Sequence, residues 1–117
     1  MINMKFSHEY LNFNILDYRL SHKLLIIRAS FLENNELVNI DILFKGVFYI
    51  ETSTNMDGIL IVEGNEADYK RVQKKYGDIS NSEKVFKLKS KMGDYLIGAL
   101  SYEINKNKLP PLKSPFK

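Results

Sequence analysis

The sequence predicts an α+β fold, mainly antiparallel β: a curled sheet, β-sandwich or half-open barrel of about six or seven strands with one covering helix near residues 65–76. Three observations lead there. Apolar side chains recur with period two in Leu11, Phe13, Ile15, again in Val38, Ile40, Ile42, Phe44, and again in Phe86, Leu88. Short polar stretches separate these runs, and consecutive strands without crossover helices imply antiparallel pairing. Only one segment has helical period, and its narrow apolar stripe cannot cover the oily faces of so many strands, so the sheet must curl or split into two layers.

The first strand is read from Tyr10 to Ile15, and the second from Leu24 to Leu32, a run of branched apolar residues. Between the second and third strands, Asn34-Asn35 suits a hairpin tip because Asn tolerates positive φ. The third run starts near Val38 and resumes after Gly46 as Val47-Phe48-Tyr49-Ile50, which predicts a long strand bent at the glycine. Asn55-Met56-Asp57-Gly58 has turn chemistry, with a short buried strand expected at Ile59 to Val62.

The helix follows. Asn65 can cap it, Glu66 and Asp68 sit in its first turn, and Lys74 and Lys75 sit in its last before Gly77. Tyr69, Val72 and Tyr76 share the inward face, while Lys70, Arg71, Lys74 and Lys75 take the other. Lys84 to Lys89 then alternates Phe86 and Leu88 with Lys87 and Lys89, a strand with one basic face. A turn at Lys91 to Asp94 leads into a last long strand from Tyr95 to Ile104, apolar on both sides near Tyr95-Leu96-Ile97, which calls for a second contact such as the helix or another subunit. Residues 1–108 form one globular domain, and 109–117 form an extended, Pro-containing C-terminal tail.

The 117 residues are 44% apolar and 26% charged, the composition of an ordinary globular domain. The absence of cysteine excludes disulfides, thiolate metal sites and a cysteine nucleophile. No apolar stretch approaches the ~20 residues of a membrane-spanning helix. The N-terminal residues lack a basic region followed by an apolar segment, so a cytoplasmic location is expected. Fourteen lysines against three arginines fit a codon-biased, bacterial-looking sequence better than selection for bidentate phosphate contacts.

Catalytic motifs are missing. His8 and His22 fall outside any triad or HExxH spacing, and the scattered glycines form no phosphate cradle. Asp41 and Glu51 face solvent by strand parity, and Asp17 beside Arg19 reads as a local ion pair. No catalytic, cofactor or metal residue is therefore assigned.

Charge carries the one hint at a partner. Residues 1–58 hold five basic and seven acidic side chains and residues 59–117 hold twelve and seven, so the halves are −2 and +5. The candidate contact surface is Lys70, Arg71, Lys74, Lys75, Lys87, Lys89 and Lys91, with Lys106, Lys108, Lys113 and Lys117 as further tail cations. The leading expectation is a non-enzymatic protein-binding module, such as an immunity or inhibitor protein that neutralises a toxin or enzyme by surface complementarity. The alternative is nucleic-acid or other polyanion binding through the basic half, weakened because Tyr69, Tyr76 and Phe86 point inward and offer no stacking platform. A second alternative is a small-ligand carrier or enzyme with its site inside the curl, lined by Tyr10, Tyr18, Arg28, Tyr49 and Tyr102. A homodimer through the two-sided strand near Tyr95 is a further candidate arrangement.

Overall fold

The computed structural model describes residues 6–115, with side chains described from Leu11 onward. The strands are β1 (Phe6–Arg19), β2 (Leu24–Glu33), β3 (Glu36–Lys45), β4 (Tyr49–Glu51), β5 (Asn55–Glu63), β6 (Lys84–Ser90), β7 (Gly93–Ala99) and β8 (Ser101–Asn107), with one helix, α1 (Glu66–Tyr76), between β5 and β6. They form a single eight-stranded sheet in the order β4-β7-β6-β5-β1-β2-β3-β8. Every strand pairing is antiparallel. The structure is the curled antiparallel sheet with one helix that the sequence predicts.

The curl has identifiable causes. β1 pairs with β5 from Phe6 to Asn14 and with β2 from Asn14 to Arg19, with register shifts between His8 and Asn12 and between Ile15 and Asp17. Such irregularities bend a strand and raise its twist. At the other side, β3 and β4 are two arms of one chain bent at Gly46, whose φ of 66° belongs to the left-handed region. Leu100 breaks the partner in the same place, so the last strand expected from Tyr95 to Ile104 is divided into β7 and β8. The two bends bond each other: Leu100 N–H donates to Lys45 O at 2.9 Å and Phe48 N–H to Gly98 O at 2.9 Å. Asn34 and Asn35 form the β2–β3 hairpin tip with φ of 53° and 64°, as expected from their chemistry.

Asn55-Met56-Asp57-Gly58 is a correction to the sequence reading. These residues open β5 instead of forming a turn. Gly58 still takes positive φ, 75°, but uses it inside the strand. The local distortion switches side-chain parity, so that Met56, Ile59 and Ile61 are all buried.

Inside the curl, Phe13, Leu25, Ile27, Ile42, Phe44, Phe86, Leu88 and Ile97 close-pack. Phe86 meets Tyr102 edge-on at 5.3 Å between centroids, and Phe44 lies 5.9 Å from Phe86, so β3, β6 and β8 touch across the interior. Two smaller apolar clusters lie outside it: Val72, Val85 and Leu96 under α1, and Leu24, Ile26 and Leu43 with Leu16 on β1 to β3. Leu96 thus explains the two-sided character near Tyr95: its second contact is the helix.

The C-terminal segment lies on the sheet. It is less extended than expected, because Lys113 N–H donates to Pro110 O at 2.9 Å and closes a turn with Pro111 at its second position.

Candidate functional site

α1 builds the first part of the basic surface. Asn65 caps it reciprocally: Asp68 N–H donates to Asn65 Oδ1 at 2.9 Å, and Asn65 N–H donates to Asp68 Oδ2 at 2.9 Å. Val72, fully buried, seats the helix on Val85 and Leu96, but of the expected inward face Tyr69 is only half-buried and Tyr76, in the last turn, stays 43% exposed with its ring tilted 4.6 Å from that of Phe48. That orientation turns Lys70, Arg71, Lys74 and Lys75 to water, where with Ala67 they line a shallow groove of about 410 Å³.

Arg71 is not free within this face. Its Nε donates to both oxygens of Glu51 at 3.0 Å and its Nη2 also donates to Glu51, tying α1 to the edge strand β4. The Arg71 hydrogen bonds, then one from Tyr49 Oη at 2.7 Å, hold the Glu51 carboxyl down to about 2. Burial, and then the bond to Glu51, push the Tyr49 hydroxyl up. No ion pair of Lys70, Lys74 or Lys75 is found among the described residues.

β6 supplies the rest, and the surface divides there. Lys87 sits beside the N-terminal turn of α1, with its Nζ 3.0 Å from Asp68 Oδ2 and both side chains mostly covered. Lys89 and Lys91 continue to the far end of β6, where they line a separate groove of about 240 Å³ with Asp57, Gly58 and Leu60. Their surroundings are not those of the α1 lysines. Two of the tail cations are committed elsewhere: Lys106 pairs with Glu33 and Lys108 with Glu36, each at 2.9 Å, bracing the β2–β3 hairpin, while Lys113 is exposed on the C-terminal turn. Lys117 lies outside the described residues.

The residues weighed for an interior ligand site do not converge. Tyr102 points into the filled core, Tyr49 lies against α1, Tyr18 is exposed, and Arg28 is on the outer face; the Tyr10 side chain lies outside the described residues. His22 is exposed in the short turn after β1 and bonds Ser21, and the His8 side chain is likewise outside the described residues. Asp17 does pair with Arg19, at 3.1 Å. Among the described residues no three His, Asp or Glu side chains gather as metal ligands would.

Asp41 is the main departure. Parity correctly sends it to the outer face, yet it is fully buried, paired with Arg28 across β2 and β3 and overlaid by the C-terminal turn. A signal was present: Arg28 and Asp41 are the lone charges inside the apolar runs Leu24–Ala29 and Val38–Phe44. A lone charge in an apolar run requires a buried partner.

Comparisons with protein-family models, with curated proteins and with solved structures find no match to this chain.

Proposed function

We propose that the chain is a non-enzymatic binding module that presents the outer face of α1 to an acidic protein surface, in the manner of an immunity or inhibitor protein acting by complementarity. What supports the reading is one contrast. Lys45, Lys87, Lys106 and Lys108 are each paired with a carboxylate, and the other lysines without an ion pair among the described residues, such as Lys23, Lys84 and Lys89, lie off the helix. Lys70, Lys74 and Lys75 make none among the described residues and stand together on one face of a single capped helix. Unmatched charge on a fixed scaffold steers encounter and fixes register without first having to break an internal pair.

The test is affinity capture with the full chain and with a K70E/K74E/K75E variant, after circular dichroism establishes equal folding. The expected result is a stoichiometric protein partner on the wild-type chain that the charge-reversed variant does not retain. Equal recovery by both, or no partner on either, overturns the proposal.

A polyanion would use the same cations, and this second reading rests on the same unmatched lysines. Against it, Tyr69 is half-buried and donates to Glu63 at 2.7 Å, and Tyr76, although exposed, has its ring against Phe48 and its hydroxyl on Glu83, so the face offers no row of free rings interleaved with the cations. Oligonucleotide binding whose logarithm falls linearly with log salt would establish the polyanion reading instead.

A further inference from the structure

The outer faces of β2 and β3 carry a polar cradle built on different strands from the α1 surface. Arg28 is 4% exposed and Asp41 0%. Arg28 spends Nε and Nη2 on the two Asp41 oxygens, which leaves Nη1 aimed at the C-terminal turn. That nitrogen donates to the main-chain carbonyls of Pro110 at 3.2 Å, Pro111 at 3.0 Å and Lys113 at 2.7 Å. Asn39, also fully buried, donates from Nδ2 to Leu109 O at 2.9 Å and is itself oriented by Ser30 Oγ at 2.6 Å. Buried side chains therefore hold four carbonyls of a five-residue stretch.

The turn's own side chains do little of the holding. Pro110, Pro111, Leu112 and Lys113 are all exposed, Leu112 to 89%. A segment that served only to seal the sheet would bury its apolar side chains, since that is where packing energy comes from. This one turns Pro110, Pro111 and Leu112 outward, keeps only Leu109 half-buried, and is gripped by its main chain. Proline at the second turn position pre-sets the backbone and brings no N–H that would need a partner. Beside it, a groove of about 340 Å³ remains open, walled by Asn12, Asn14, Ile15, Leu16 and Ser30 together with Pro111 and Leu112.

We propose that the Arg28–Asp41–Asn39 cradle is a peptide site that reads the carbonyls of a proline-containing β-turn. The chain's own residues 109–113 occupy it in cis, and a proline-turn peptide of a partner takes it by displacing them. Recognition through carbonyls tolerates side-chain variation, and the cis occupant sets a threshold, because a tethered segment competes at an effective concentration of about 1 mM.

The experiment uses the full chain and a fluorescent peptide with the sequence of Lys108–Pro115. The wild-type chain is expected to bind it weakly. A P110G/P111G chain, whose own turn is loosened, is expected to bind it about tenfold more tightly, as loss of cis competition requires. The same peptide with both prolines replaced by glycine should bind at least several-fold more weakly to that chain. Because the double substitution can also impair folding, hydrogen exchange on the wild-type chain provides a second reading: excess peptide should speed exchange of the Lys113 amide, released from Pro110 O. No saturable binding to a folded P110G/P111G chain, or unchanged Lys113 exchange at saturating peptide, overturns the proposal.

Discussion

Arg28 and Asp41 meet across β2 and β3 with Nε 2.6 Å from Oδ1 and Nη2 2.8 Å from Oδ2, both side chains closed off from water. Such a pair is worth its desolvation only if the remaining donors and lone pairs are also satisfied. They are: Asn107 Nδ2 donates to Asp41 Oδ2 at 2.8 Å, and Arg28 Nη1 is spent on the C-terminal carbonyls. Among the described residues no buried side-chain nitrogen or oxygen lacks a partner. The network Ser30–Asn39–Asn107–Asp41–Arg28 thereby joins β2, β3, β8 and the C-terminal turn.

Removing both members should therefore cost less than the two single removals added together. Arg28→Met leaves a buried carboxylate unpaired and is expected to destabilise the chain by about 3–5 kcal/mol, whereas R28M/D41L, which takes out both charges, should cost clearly less than the sum of the single changes. Urea unfolding of the four chains measures the coupling. Additive single costs would mean that the pair is not desolvated as described.

The helix cap gives a graded pair. Asn65→Ala removes one side-chain acceptor and should cost about 1 kcal/mol. Asp68→Ala removes the reciprocal half of the cap and also strands Lys87, so its cost should exceed that of Asn65→Ala, about 1–2 kcal/mol against about 1. Equal costs in denaturant unfolding would show that the Lys87 contact contributes nothing.

Acid should loosen the α1–β4 contact in a defined window. The Glu51 carboxyl is held at about 2 in the folded chain, below its ordinary 4.5, by Arg71 and Tyr49. A depressed carboxyl contributes stability that is fully present above the unfolded value and lost as pH falls from 4.5 through 2. Carboxyl-detected NMR should find the Glu51 midpoint near 2 and, in an R71M chain, displaced upward toward the ordinary value. It should stop short of that value because the Tyr49 hydrogen bond persists. An unmoved midpoint would place the cause elsewhere.

How much of this was legible depends on how far apart the deciding residues lie. The alternation of Val38, Ile40, Ile42 and Phe44, the Gly46 bend, the Asn34-Asn35 tip and the Asn65 cap are settled by neighbours within a few positions, and each reads directly from the chain. Gly58 was ambiguous in kind: positive φ serves a turn or an irregular strand equally, and only pairing with β1 decides it. Asp41 and Lys87 needed information from further away. Asp41 is buried by residues some seventy positions later, and Lys87 by the seating of a helix whose tilt no local pattern reveals. The cationic helix face was legible because solvation, unlike burial, requires no distant partner.

The tightest test of the packing concerns Gly98 and Phe48. A Cβ placed on Gly98 would fall 2.6 Å from two atoms of the Phe48 ring, well inside contact distance. That ring cannot simply step back, since its other neighbour is Tyr76 at 4.6 Å between centroids. Gly98→Ala should therefore push Phe48 into the helix and cost about 1–3 kcal/mol, the usual penalty of overpacking. Phe48→Leu alone should cost about 1 kcal/mol or somewhat more for lost aromatic packing, yet on the Gly98→Ala background the smaller side chain relieves the collision. The double variant should thus be more stable than the sum of the single costs allows, and thermal unfolding reads the difference directly. Strict additivity would show that the added methyl is accommodated by sheet movement instead of by Phe48. The contact between β7 and the segment entering β4 would then be softer than the hydrogen bond from Phe48 N–H to Gly98 O at 2.9 Å implies.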